Sequence, residues 1–183
     1  MVVLLLADGF EEIEALTPLD MLRRAGVNVA SVSISDELAV TGAHGITVIA
    51  DVTKDSLDLS CIELAIFPGG MPGAKNLDES EFTSRLINAV LANGGRLAAI
   101  CAAPMILGKR GLLKGKRACC YPGFENELLG AEISYEPCVT DGNITTARGM
   151  GAALDFAEEL ISLIKDKETC RKISSSIIRE VKK

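Results

Sequence analysis

Residues 96–104 read Arg-Leu-Ala-Ala-Ile-Cys-Ala-Ala-Pro, and this stretch decides the fold. Arg96–Ile100 is a short apolar run of the kind buried on both faces of a parallel sheet. It runs straight into Cys101, and Pro104 follows where the first turn of a helix tolerates a missing N–H. A strand that passes through one residue into a helix forms a sharp elbow, with that residue's side chain lifted toward the helix N-terminus. The partial positive charge there favours a thiolate by about 0.3–1 kcal/mol, or about 2 when partly buried. That effect lowers a thiol from about 8.5 to the mid-sevens at most, so a dominant thiolate needs a second donor. The competing reading is a small hydrophobe filling a tight turn.

The same alternation extends in both directions. Val2–Ala7, Val27–Ser33, Leu64–Phe67, Arg117–Cys120 and Ile144–Ala147 read as strands, and Ile46–Ala50 as part of another. Ile13–Ala25 reads as a helix closed by Gly26, Glu81–Ala92 as another, and Met150–Lys165 as a third with one apolar stripe. A last helix is expected over Glu168–Val181. Strands alternating with helices predict an α/β fold, a mostly parallel sheet with helices on both faces, in a single domain spanning 1–183.

Composition agrees with such a core. The 183 residues are 48% apolar and 4% aromatic, with no Trp, so the interior is aliphatic. A chain of this length buries roughly 70% of its unfolded surface without staples. Its net charge of -6 argues against nucleic-acid binding, and its mean hydropathy of +0.28 against disorder. The apolar start ends at Asp8, too short for a signal-peptide core, and no run approaches a membrane span. A cytoplasmic location is therefore expected, with no membrane partner. The six cysteines (61, 101, 119, 120, 138 and 170) should be reduced and, apart from Cys101, mostly buried. No C-x-x-C occurs and His44 is the only histidine, so no metal site is expected.

Sites in open parallel sheets lie beyond the carboxyl ends of the strands. Three unusual segments end strands here: Asp8-Gly9-Phe10-Glu11-Glu12-Ile13-Glu14, Pro68-Gly69-Gly70-Met71-Pro72-Gly73, and the Cys101 segment. Glu14, on the apolar side between Ile13 and Leu16, is the candidate second donor to the thiol, in its protonated form. Glu11 and Glu12 read as residues favouring a helix N-terminus, with Glu11 a solvated cap. Pro68-Gly69-Gly70 presents backbone N–H groups suited to an oxyanion, with the N–H of Ala102 as the other donor. Arg148, in Thr146-Ala147-Arg148-Gly149-Met150-Gly151, either binds an anion or braces its loop, and bracing is the expectation. His44, in Gly42-Ala43-His44-Gly45, reads as an exposed and inert turn.

These strand ends resemble the ThiJ/PfpI superfamily, in the branch of the parkinsonism-associated deglycase (the DJ-one family). The likeness rests on Glu11-Glu12-Ile13-Glu14, Arg23-Arg24-Ala25-Gly26, Pro68-Gly69-Gly70, Ala99-Ile100-Cys101-Ala102-Ala103-Pro104 and Arg148-Gly149-x-Gly151. It implies a flavodoxin-like three-layer sandwich, usually a homodimer. Cys101 matches the family's nucleophile, Glu14 the protonated carboxyl on its sulfur, and Gly70 with Ala102 the oxyanion donors. The implied activities are cofactor-free conversion of methylglyoxal to lactate and removal of early glyoxal adducts from protein side chains. The partners are then a small aldehyde or glycated side chains. A sensor role, with Cys101 oxidised to sulfinic acid, is the non-catalytic alternative. The chain departs from the family where many members carry a His before a Pro. Tyr121 stands there, and a tyrosine can polarise a carbonyl but is a poor base near pH 7. The peptidase-like branch needs a His directly after the nucleophile, where this chain has Ala102. Glutamine amidotransferases of similar architecture need a His downstream of the Cys, and there is none.

Overall fold

The computed structural model describes residues 1–179. Five parallel strands carry the fold: β1 (Val2–Leu6), β2 (Val29–Ser33), β6 (Leu64–Phe67), β7 (Arg96–Ile100) and β11 (Ile144–Ala147). The sheet is completed by β5 (Val52–Thr53) at one edge and by the antiparallel β10 (Cys138–Asp141) at the other. Its order is β10-β11-β7-β6-β1-β2-β5. The chain winds outward from β1 through β2 and β5, then returns to the other side of β1 as β6. The order therefore reverses between β1 and β6, which opens a crevice at their carboxyl ends.

The two-residue period of the strands sorts the core into two layers. Val2, Leu4, Leu6, Leu64, Ile66, Ala98 and Ile100 face α1 (Glu12–Arg24) and α5 (Ala153–Ile164), where Leu19, Leu22, Phe156 and Leu160 meet them. Val3, Leu5, Ala65, Phe67, Leu97 and Ala99 face the opposite layer. It is formed by α2 (Gly73–Glu79), α3 (Glu81–Ala92) and α4 (Pro104–Lys109) through Leu77, Leu86, Ile106 and their neighbours. The architecture is the sheet covered on both faces that the alternation predicts, and the flavodoxin-like sandwich that the resemblance implies. Gly26 ends α1 at φ +66°, the left-handed conformation a C-terminal cap needs.

Three segments differ from expectation. Ile46–Ala50 contributes β4 (Thr47–Ile49), which pairs antiparallel with β3 (Ala39–Thr41) in a hairpin outside the main sheet. Ile46 before the strand and Ile49 within it are both exposed, so this segment lacks the two buried faces of a central strand. Arg117–Cys120 pairs only through β8 (Arg117–Ala118) with β9 (Glu132–Ile133), also outside the main sheet. The chain then crosses the end of β7, where Tyr121 N–H donates to the Cys101 carbonyl at 2.8 Å. The last helix, α6, spans Lys167–Ser176, and Val181 lies outside the described residues. Arg179 ties this end to α5 through Asp155 at 2.6 Å and Glu158 at 3.1 Å.

Candidate active site

The three strand ends converge. Glu11 N–H donates to Gly69 O at 2.9 Å, and Gly73 N–H to Gly9 O at 3.1 Å, lacing the β1 end to the β6 end. The β7 end lies against both, because a Cβ on Gly69 would stand 2.6 Å from Cys101 Cβ. Cys101 holds φ +66°, a left-handed conformation that costs a non-glycine residue about 1–3 kcal/mol. Its N–H donates to Ala147 O at 2.9 Å, which fixes the elbow from the β11 side. The sulfur is half-buried, with the N–H groups of Gly70 and Ala102 directed at it. Gly70 reaches that position through φ +87°.

Glu14 lies in the first turn of α1 and is only 1% exposed. Glu11 caps the helix by accepting from Glu14 N–H at 2.7 Å. The Glu14 carboxyl then accepts from Gly69 N–H at 3.0 Å, is hydrogen-bonded by Met150 N–H, and shares a hydrogen bond with Cys101. Burial pushes the Glu14 carboxyl up from 4.5 to about 7, with the Glu11 charge adding to the rise and the Cys101 hydrogen bond opposing it.

The thiol departs from the sequence expectation. Burial, then the Glu14 charge and hydrogen bond, push Cys101 up to about 12, while the Gly70 and Ala102 N–H groups pull the other way. The helix α4 is six residues long, and its end effect is smaller than these opposing terms. Below about 7 both groups hold their protons and above it the remaining proton stays mainly on the sulfur, so thiolate forms only in the minor state where Glu14 keeps it.

Gly69 is required by this contact. A Cβ there would meet Glu14 Oε2 at 2.5 Å and Ile100 O at 2.9 Å, both held in place. Gly69→Ala should cost about 1–3 kcal/mol of stability. Thermal unfolding and the alkylation rate of Cys101 check this, and a variant matching wild type in both would contradict the packing.

Two sequence expectations change at the mouth of the site. Glu12 is buried, and His44, although exposed, reaches it from the hairpin turn: Nδ1 lies 2.7 Å from Glu12 Oε2 and His44 N–H donates to Oε1 at 2.8 Å. Helix α1 and the hairpin are separate in the sequence, so a carboxylate at a helix start and a turn expected to be inert become one ion pair, buried on the Glu12 side and exposed on the His44 side. Burial raises the Glu12 carboxyl, but the His44 side-chain and backbone hydrogen bonds outweigh it and hold the group below 4.5. The Glu12 hydrogen bond and charge raise His44 above 6.5. The Glu12 contribution to stability is present above 4.5 and lost as pH falls through its lowered value. The His44 contribution is present below 6.5 and lost as pH rises through its raised value. A Glu12→Gln and His44→Asn double-mutant cycle should therefore show its largest coupling between pH 4.5 and 6.5, read from thermal unfolding; coupling flat from pH 4 to 9 would contradict it. Ligand atoms of Glu11, Glu12 and His44 lie within 4.8 Å of one another. Both Glu12 oxygens are already bonded, and the positive end of α1 disfavours a cation there.

The other candidates fall nearby. Tyr121 sits beyond Cys101 with its ring 51% exposed and close to Gly149. The Arg148 guanidinium lies 5.7 Å over the Tyr135 ring and donates to Tyr135 O at 3.4 Å, the bracing expected of it. Sequence reasoning missed the Gly69 and Met150 N–H groups on Glu14 and the burial of Glu12. The Gly149-Met150-Gly151 run marked the loop without indicating its target. All six cysteines are free, Cys119 and Cys120 buried and Cys61 exposed.

A doubly wound sheet with a strained cysteine elbow facing a buried carboxyl defines the class of cysteine-elbow flavodoxin-like proteins. Within that class the chain belongs to the DJ-1/PfpI family, whose model matches residues 1–163. It is 34% identical over 179 residues to protein DJ-1 homolog B of Arabidopsis thaliana, covering 97% of this chain and 41% of that protein. The chain thus spans less than half of that relative's length. A protein named a deglycase in Pyrococcus abyssi is 29% identical over 167 residues, covering 90% of this chain and 99% of its own. The oxidized Toxoplasma gondii DJ-1 structure superposes with a TM-score of 0.94 at 32% identity, covering 98% of each chain. Among the described residues no helix is long and apolar enough to cross a membrane.

Proposed function

We propose that the protein is a cofactor-free, cysteine-dependent glyoxalase or deglycase, acting on methylglyoxal or on its early adducts with protein side chains. The observation that carries this reading is the Glu14 carboxyl, buried and hydrogen-bonded to Cys101 at a strained elbow between two backbone N–H donors. A carboxyl raised to about 7 can both give and take a proton at neutral pH, as proton transfer between adjacent carbons demands.

The Cys101 sulfur adds to the aldehyde carbon as protonated Glu14 gives its proton to the carbonyl oxygen, forming a hemithioacetal whose oxygen faces the Gly70 and Ala102 N–H groups and leaving Glu14 as the carboxylate. Glu14 removes the proton from that carbon and returns one to the neighbouring carbon. The aldehyde carbon is oxidised to a thioester as the ketone carbon is reduced to an alcohol, so no external redox partner is required. Water then cleaves the C–S bond, releasing the hydroxy acid and restoring the thiol. Tyr121, whose ring lies beside Gly149, is assigned the polarisation of the second carbonyl. The Pyrococcus abyssi deglycase name supports the adduct-removing form of the same chemistry.

A second reading is a sensor in which Cys101 is oxidised in carbonyl or oxidative stress, favoured by the oxidized state of the Toxoplasma gondii relative. Counting turnovers separates the two. Methylglyoxal consumption with D- and L-lactate quantified should exceed one equivalent per chain many times over. A single equivalent, or none at substrate well above physiological concentration, would overturn the enzyme reading.

A further inference from the structure

The two N–H groups directed at the Cys101 sulfur, those of Gly70 and Ala102, belong to separate segments of the chain. The pairing of β6 with β7 ends at Phe67 opposite Ala99, and among the described residues no hydrogen bond joins 68–72 to 101–103. Each donor is bonded instead into the helix that follows it. Ala74 N–H donates to Gly70 O at 2.8 Å in the first turn of α2, and Met105 N–H to Ala102 O at 3.1 Å in that of α4. An oxyanion site works only when its donors are held within about 0.5 Å of the productive geometry. The spacing of α2 and α4 therefore sets part of the gap between them. At seven and six residues, both helices are too short to hold a direction on their own.

At the far ends of these helices, about 8 Å along the axis from the donors, one side chain spans both. Arg110, the half-buried residue that ends α4, uses its whole planar fork. Nη1 donates to Asp78 Oδ1 at 2.5 Å and to Ile106 O at 2.8 Å. Nη2 donates to Asp78 O at 2.8 Å and to Ser84 Oγ at 3.1 Å. The guanidinium thus ties α4 to the last turn of α2 and to α3 in one fixed geometry. Charge alone does not require it, because Lys109 Nζ already meets Asp78 Oδ2 at 3.0 Å. What only the fork supplies is a simultaneous hold on a carbonyl of each helix.

We propose that Arg110 is a positioning residue for the oxyanion site, pinning α2 against α4 and so fixing the gap between the Gly70 and Ala102 N–H groups. The inference rests on the proposed function only for the reaction that this gap serves. Arg110 itself touches neither substrate nor reacting atoms.

Two reagents separate the gap from the thiol. p-Nitrophenyl acetate acylates a thiol through a tetrahedral oxyanion: the S–C bond forms, the C–O bond to p-nitrophenolate breaks, and the thiol proton goes to the buffer. Iodoacetamide alkylates the same sulfur by displacing iodide, and no oxyanion forms. Both rates are measured on the full-length protein and corrected with the same protein carrying Cys101→Ser. Arg110→Gln and Arg110→Lys should each lower acylation about tenfold and leave alkylation within about twofold of wild type. The kcat for methylglyoxal should fall by a similar factor while KM changes less than about twofold.

An unchanged acylation-to-alkylation ratio in either variant would overturn the proposal. So would the two rates falling together, because a merely loosened fold affects both reagents alike. If Arg110→Gln fails to fold, Arg110→Lys, which leaves Asp78 with two cations, decides alone. A lowered ratio in a protein that never turns over methylglyoxal would refute the proposed function and leave the role of Arg110 standing. Methylglyoxal turnover with an unchanged ratio would do the reverse.

Discussion

Cys101→Ser should reduce methylglyoxal turnover by at least about a thousandfold, roughly 4 kcal/mol of barrier, while the melting temperature barely moves. Serine is close in size to cysteine, so the elbow at φ +66° and the contacts around Gly69 and Ala147 persist. What disappears is the nucleophile. A hydroxyl is a far weaker acid than a thiol, and Glu14, raised only to about 7, lacks the basicity to activate it. Steady-state lactate formation and thermal unfolding measured on one preparation check both halves. Turnover within tenfold of wild type would remove Cys101 from the mechanism. A large drop in melting temperature would instead mark the thiol as a packing group.

Glu14→Gln should separate three properties that the carboxyl joins. Turnover should fall by about 10²–10⁴, because the amide keeps a hydrogen bond near the sulfur but cannot carry a proton between carbons. The thiol should titrate lower than in wild type, because the Glu14 charge and hydrogen bond that help raise it to about 12 are gone and only burial remains. Iodoacetamide should therefore alkylate Cys101 faster at pH 8 in the variant. Stability should shift with a definite sign. Glu14 titrates near 7 folded against an ordinary 4.5, so the folded protein loses stability as pH rises from 4.5 to about 7 and does not regain it above. At 1.36 kcal/mol per pH unit that loss approaches about 3 kcal/mol, which the glutamine would recover apart from any weakened hydrogen bonds. The variant should be more stable than wild type at pH 8, with the advantage vanishing at pH 4. Slower alkylation, or a stability difference independent of pH, would show that Glu14 is ionised without cost and is not the proton carrier.

The stretches that read most clearly were those whose neighbours in sequence are also their constraints. Leu64–Phe67, Arg96–Ile100 and Ile144–Ala147 match the structure at both ends, because a short apolar run between turns can be satisfied only inside a parallel sheet, and the helix Glu81–Ala92 does so because Asn93-Gly94-Gly95 stops it. The convergence of Glu14, Gly70 and Cys101 followed from one topological rule, that strand ends of such a sheet share an edge. The hairpin was harder. Thr47–Ile49 has strand propensity, but whether it joins the main sheet depends on the partner the edge strand finds, and β2 pairs with Val52–Thr53 instead.

Electrostatics separates the two sources of information more sharply. Residue types and their order were enough to determine the α/β sandwich, the cysteine elbow and the identity of the carboxyl beside it. Those depend on periodicity and backbone sterics, which act over a few residues. The protonation states were decided by the tertiary structure alone. The thiol expected in the mid-sevens is pushed to about 12, and Glu12 and His44, 32 positions apart, become one ion pair. Charge and burial act through space across elements that only folding brings together, so no reading along the chain contains their sum.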